Sequence, residues 1–170
     1  MDAYLAIVSK REVREYAQEP IPPDVERRIL EAGRMAGSSQ NRQQRGFVIV
    51  RDRAAVERAA SAVWMPANLL GAALVVAVVV GGRGPLAFDA GRAAQNMMLA
   101  AHALGVGSCP NGIADRDTIA ELLGLGEDEQ VATILGFGYP VSPRDPESRP
   151  AEEWIRRAGR LPYDEVVREL

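Results

Sequence analysis

The chain has 170 residues, 47% of them hydrophobic and 25% charged, with a formal net charge of -3. At that length a single domain can bury about 70% of the surface its unfolded chain exposes, and the composition argues against disorder and against a general affinity for nucleic acid, which needs a basic face. One cysteine, Cys109, and one histidine, His102, exclude an internal disulfide and leave a thiolate- or histidine-built metal centre within one chain short of ligands.

The cations are 19 arginines and one lysine, Lys10. This favours planar, forked donors at any carboxylate or phosphate site, although genomic base composition or heat tolerance explains the bias equally well. The start of the chain, with Asp2 followed by an amphipathic stretch, does not have the pattern of a signal peptide. The apolar run Leu69 to Val80 is about twelve residues, against roughly 20 needed to span a bilayer. A cytoplasmic protein with no membrane or nucleic-acid partner is expected, forming one domain over residues 1–170.

In chain order, Tyr4, Leu5, Ile7 and Val8 predict a short amphipathic helix ending near the basic cluster Lys10-Arg11-Glu12-Val13-Arg14-Glu15-Tyr16. Glu19-Pro20-Ile21-Pro22-Pro23 breaks it, and a second helix opens at Pro22 or Pro23 and ends by Gly37-Ser38-Ser39. Phe47-Val48-Ile49-Val50 predicts a strand and Asp52 to Ala62 a helix. Ala73 to Val80 has no polar alternation, as in a strand covered on both faces. Phe88 to Leu104 predicts the longest helix, broken by Gly105 and Gly107. A short helix over Thr118 to Leu123, a strand over Val131 to Pro140, an irregular arm over Val141 to Pro150 and a short helix from Tyr163 complete the order.

Candidate chemistry is sparse. Lys10, Arg11 and Arg14 share one face if the first helix continues through them, where they would either neutralise a phosphate or form a solvated helix end. Gly37-Ser38-Ser39-Gln40-Asn41 offers hydroxyls, an amide and open backbone to a polar ligand edge, or is an ordinary capping turn. Nothing local makes Cys109 a thiolate nucleophile, and His102 reads as a structural residue of an apolar helix. Gly81, Gly82 and Gly84 lack the spacing of a dinucleotide fingerprint. An enzyme built on these residues needs a cofactor to carry the reaction.

Four segments in this order, Lys10 to Tyr16, Gly37-Ser38-Ser39-Gln40-Asn41-Arg42-Gln43, Asp89-Ala90-Gly91-Arg92-Ala93-Ala94-Gln95-Asn96 and Gly136-Phe137-Gly138-Tyr139-Pro140, resemble the nitroreductase family of FMN-dependent oxidoreductases. The resemblance runs from about residue 5 to the C-terminus. It implies an α+β fold, an α/β/α sandwich with a central, mostly antiparallel sheet, in an intertwined homodimer that holds two FMN molecules. It further implies that Lys10, Arg11 and Arg14 approach the flavin phosphate, ribityl chain and pyrimidine side, with Arg14 as an electrostatic tuner. Ser38, Ser39 and Asn41 would reach the flavin from the partner subunit. Asn111 and Gly112 would pass near flavin N5, and Arg160, with Arg157, would face the phosphate.

The implied reaction passes electrons from NADH or NADPH to an electron-poor small molecule, such as a nitro compound or quinone, by a ping-pong mechanism, with no side chain acting as the catalyst. The alternative is a flavin-binding carrier or sensor without reductase turnover; dehalogenation, flavin ring cleavage or use of a deazaflavin would keep the fold and change the chemistry. Glu12 stands where a small hydroxyl residue is usual, Gly37 where proline is usual, and Gln44 and Arg45 replace a usual Pro-Trp. Trp64, Met65 and Asn68 are expected as core or dimer contacts, or as a partial cap on the pocket.

Overall fold

The computed structural model describes residues 1–169. They group into two compact units, one built from Glu12–Pro143 and the other from Met1–Arg11 with the residues from Arg144 onward.

The larger unit is organised by strand β2, Leu74–Gly81, the apolar run whose side chains from Leu74 to Val80 are all buried. It pairs antiparallel with β1, Arg45–Val50, on one side and with β4, Glu129–Gly138, on the other. β3, Gly107–Asn111, pairs antiparallel with β4 and completes a sheet of order β1-β2-β4-β3. Successive strand side chains point to opposite faces. Leu74, Val76, Val78 and Val80 accordingly join one core, and Val75 and Ala77 the other.

The first core lies against α2, Pro23–Arg34, and the long α5, Leu86–Ala103, through Ile29, Ala90, Ala94, Met97 and Met98. Gly33 lets these two helices approach, because a Cβ there would sit 2.7 Å from Met97. The second core receives α3, Arg53–Ser61, α4, Ala67–Leu70, and α6, Arg116–Leu123, through Val56, Ala59, Leu69 and Ile119. The result is the α/β/α sandwich with a central antiparallel sheet that the resemblance implies. A bulge in β4 skips Ala132, since Val79 pairs with Val131 while Val78 pairs with Thr133. The extra residue turns Val131 to the same face as Ile134, where both enter the second core.

Local signals start and stop these elements. Asp52 and Asp115 accept the Ala55 and Thr118 amides and cap α3 and α6, and Gly124, at φ 62°, ends α6. β3, not expected from sequence, tolerates Pro110 because it is an edge strand.

The smaller unit holds α1, Ala3–Ser9, capped by Asp2, then α7, Ala151–Arg156, and α8, Tyr163–Val166. The irregular arm contains one 3-10 turn, Pro146–Ser148.

One expectation is corrected. α1 ends at Ser9, and Lys10 leaves it with ψ 131°, so Lys10, Arg11 and Arg14 do not share a helical face. From Val13 the chain is pinned in extended form: the Val13 amide donates to Ser108 O at 3.0 Å, the Ala17 amide to Tyr139 O at 2.8 Å, and Tyr16 bridges Pro140. Gly107 and Gly138 make room, since a Cβ at either would lie within 3 Å of Val13 or Tyr16 respectively.

The Tyr16 hydroxyl donates to Val13 O and Gly136 O, and burial, reinforced by Cys109 and Glu12, pushes its pKa well above the usual value near 10. The folded protein therefore holds that proton more tightly than the unfolded chain does. Its contribution to stability is complete below pH 10 and lost as pH rises above it. Urea unfolding from pH 8 to 11 should show falling stability in the wild type and a shallower fall in Tyr16→Phe.

Gly136 gives a second check, because a Cβ there would stand 2.6 Å from the backbone oxygen of Asn68. Gly136→Ala should lose about 1–3 kcal/mol through overpacking, read as a lower urea midpoint at unchanged slope.

Candidate functional site

In the smaller unit Arg11 spends its guanidinium on backbone. Nη1 donates to Val8 O and Lys10 O, both at 2.8 Å, and Nη2 to Trp154 O at 3.0 Å, so it ties the end of α1 to α7. Trp154 is buried, donates from Nε1 to Pro146 O, and has the guanidiniums of Arg149 and Arg11 over its ring at 4.9 and 5.9 Å. Burial lowers the Arg11 pKa, and the positive charges of Arg160 and Arg144 lower it further. Positive charge from two further arginines acting on Arg11 makes an anion-attracting field there.

Arg157 and Arg149, in contrast, pair with Glu153, Arg157 at 2.8 Å. Lys10 is buried, while Arg144 and Arg160 are exposed. Arg144 carried no sequence signal, because it sits in an irregular Pro-rich arm without periodicity.

In the larger unit, the segment after α2 is a shaped loop. Ser39–Asn41 form a 3-10 turn in which Gln40 and Asn41 take φ 52° and 54°, and Gln43 follows at 56°. The Ser38 hydroxyl accepts the Gln43 amide at 2.9 Å, and Asp89 accepts the Ser39 amide at 3.0 Å. Arg45, the residue in place of the family's usual tryptophan, reaches back to Arg34 O and Ala36 O and caps the end of α2. Asn41 is exposed and Ser38 and Ser39 are half-buried, so their side chains remain available at the surface. Arg14, also exposed, is in no ion pair among the described residues and sits close enough to Tyr16 for its charge to be felt there.

The end of β3 separates the remaining two candidates. Asn111 is 3% exposed and committed to the fold. Its Nδ2 donates to Cys109 O and Ile134 O, its Oδ1 accepts from Asn68 at 3.0 Å, and its carbonyl accepts from Thr133. Gly112, next in the chain, is exposed. Its carbonyl accepts the Trp64 amide, and a Cβ there would stand 3.0 Å from the Trp64 ring.

Of Trp64, Met65 and Asn68, Asn68 is buried in the fold, as expected for a core contact. Trp64 is 71% exposed and Met65 is exposed too, so neither belongs to the core.

Acid–base and nucleophilic chemistry is poorly provided for. The Tyr16 phenol is kept protonated, and Cys109 is buried beneath Asn68, which donates to its sulfur at 3.5 Å. Exposed polar backbone, amides, hydroxyls and guanidiniums can bind and orient a ligand.

Known proteins share this architecture. The family model described as the nitroreductase family matches residues 7–80 and 69–139. A protein of Archaeoglobus fulgidus provisionally named NADH dehydrogenase/NAD(P)H nitroreductase is 30% identical over 149 residues, covering 82% of this chain and 86% of that protein. Nitroreductase A of Vibrio parahaemolyticus superimposes with a TM-score of 0.84 at 26% identity, covering 99% of this chain and 76% of the other. A Desulfovibrio desulfuricans protein, provisionally assigned as a nitroreductase and solved in complex with FMN, superimposes at 0.82 with 26% identity over 100% of this chain and 98% of its own.

The Asn68–Asn111 pair behind Gly112 can be tested directly. Asn68→Leu would leave Asn111 Oδ1 buried without its donor and should cost about 1–3 kcal/mol in urea unfolding. In fold, in the order of its motifs and in the span of sequence matched, the chain belongs to the nitroreductase family.

Proposed function

We propose that this chain is a cytoplasmic, FMN-dependent oxidoreductase. It passes electrons from NADH or NADPH to an electron-poor small molecule, such as a nitro compound or a quinone, by a ping-pong sequence, and it works as a one-domain subunit of a homodimer. The observation that carries this reading is that the positive charges of Arg160 and Arg144 both bear on the partly buried guanidinium of Arg11, a concentration of charge suited to a phosphate dianion. Bound FMN would supply the reversible two-electron chemistry that no side chain here offers.

The donors present fit that group by their chemistry. Arg144 and Arg160 would hold the phosphate, with Arg11 and Lys10 adding to the field from positions fixed by the fold. Ser38, Ser39 and Asn41 would bind the polar edges of the isoalloxazine and ribityl chain. Asn111, through its side-chain bonds, fixes where the backbone at Gly112 is presented. Arg14 would favour negative charge on the pyrimidine edge.

Trp64 supports an aromatic, electron-poor acceptor, since an indole left this exposed beside Gly112 is a stacking surface. Exposed Met35, Phe88, Leu161 and Tyr163 support the homodimer, because large apolar side chains in contact with solvent are commonly covered by a partner.

The absorbance spectrum of purified, FMN-reconstituted protein tests the reading. A yellow protein bleached by NADH or NADPH and recoloured by a quinone is expected. A bound flavin that stays oxidised would favour the carrier or sensor, and a colourless protein would refute the proposal. Arg160→Ala should weaken FMN binding by about ten- to a hundredfold, as expected for a lost charge-assisted hydrogen bond. Arg14→Ala should lower the potential of bound FMN by about 30 mV or more, measured by dye equilibration.

A further inference from the structure

The loop Ser38–Gln43 carries three non-glycine residues at positive φ, at Gln40, Asn41 and Gln43. Such backbone persists only where surrounding contacts over-determine it. The Ser38–Gln43 bond lies within the loop and Arg45 grips the chain before it, at Arg34 O and Ala36 O. Asp89 is different, because it comes from the first turn of α5, whose neighbouring Ala90, Ala93, Ala94 and Met97 are core.

Asp89 is 8% exposed and its Oδ2 accepts the Ser39 amide at 3.0 Å. Its Oδ1 is buried and makes no hydrogen bond among the described residues. A half-satisfied buried carboxylate is costly, and an alanine would pack the same helix face without that cost. The carboxylate's one hydrogen bond among the described residues runs to the loop, so its effect is exerted there.

We infer that Asp89 is a positioning residue: it clamps the Ser39 amide to the rigid start of α5 and so holds the Ser38–Asn41 loop in the form that receives FMN. This rests on the FMN reading above. The clamp itself is a property of the protein without cofactor. With Asp89 absent, Ser39 loses its anchor, Gln40, Asn41 and Gln43 are free to leave the left-handed conformations, and the ligand-facing groups of Ser39 and Asn41 lose their fixed directions.

Amide hydrogen exchange of the apoprotein and FMN titration by fluorescence quenching test the inference together. In Asp89→Ala the amides from Ser39 to Gln43 should exchange at least about tenfold faster and the FMN Kd should rise by at least about tenfold. The visible circular dichroism of bound flavin should change as well, with the apoprotein melting within a few degrees of wild type. Asp89→Asn keeps an acceptor for Ser39 and should retain slow exchange and a Kd within about threefold of wild type.

Wild-type exchange at Ser39 in Asp89→Ala would overturn the inference. So would a large drop in melting temperature with unchanged flavin circular dichroism, which would place the carboxylate's role in the core. If Asp89→Ala does not fold, Asp89→Asn decides the matter: near-wild-type exchange and affinity support the clamp, and about a tenfold loss of both overturns it, because asparagine keeps an acceptor for Ser39. A wild-type protein that binds no FMN would refute the FMN reading instead, while exchange at Ser39 would still report on the clamp.

Discussion

Burial of both faces of β2 is the constraint from which the rest of the larger unit follows. Seven consecutive side chains, Leu74 to Val80, are out of solvent, so neither face of the sheet's centre can carry polar chemistry. Helices α2 and α5 must cover one face and α3, α4 and α6 the other. Groups able to meet a ligand are displaced to where that packing stops, in the loop after α2, the end of edge strand β3, and the extended segment around Arg14. Function is thereby confined to the margins of an apolar slab.

Arginine bears on how those margins are built. Arg45 caps α2, Arg11 closes α1 onto Trp154 O, Arg53 donates to Leu70 O and Arg116 to Val131 O. A guanidinium carries several donors in one plane, so it can satisfy carbonyls that a helix end leaves open and still present its charge. The near-absence of lysine thus has a structural use in addition to any use at a phosphate. It also explains how Arg45 stands where the family's tryptophan is usual: it bonds to the carbonyls at the end of α2.

Legibility in the sequence tracked locality. β2 and α5 were readable because an unbroken apolar run and an Ala- and Met-rich period are local facts about the chain. β3 was not, since Gly107, Ser108 and Pro110 read as a loop and only pairing with β4 makes them a strand. The segment from Lys10 to Tyr16 misled for the same reason. Its cations fall at helical spacing, while the partners that extend it, Ser108, Tyr139 and Pro140, lie roughly a hundred residues away. Among the candidate ligand residues, Ser38, Asn41 and Arg160 are proposed from residue type and order. Arg144 and Asp89 could not be assigned roles, because a lone arginine in a Pro-rich arm and an acid in a helix's first turn are both ordinary without their contacts.

The contacts also divide the candidate ligand residues into two kinds. Arg11 and Asn111 have their side chains bonded to backbone or buried polar groups, so they can shape a site by charge or by placing the main chain. Arg14, Asn41, Gly112, Arg144 and Arg160 are exposed and free of ion pairs among the described residues. On the proposed FMN reading, ligand contact falls to this second group, while the first is committed to the fold. A substitution in the first group should therefore disturb stability and binding together, whereas one in the second should disturb binding alone.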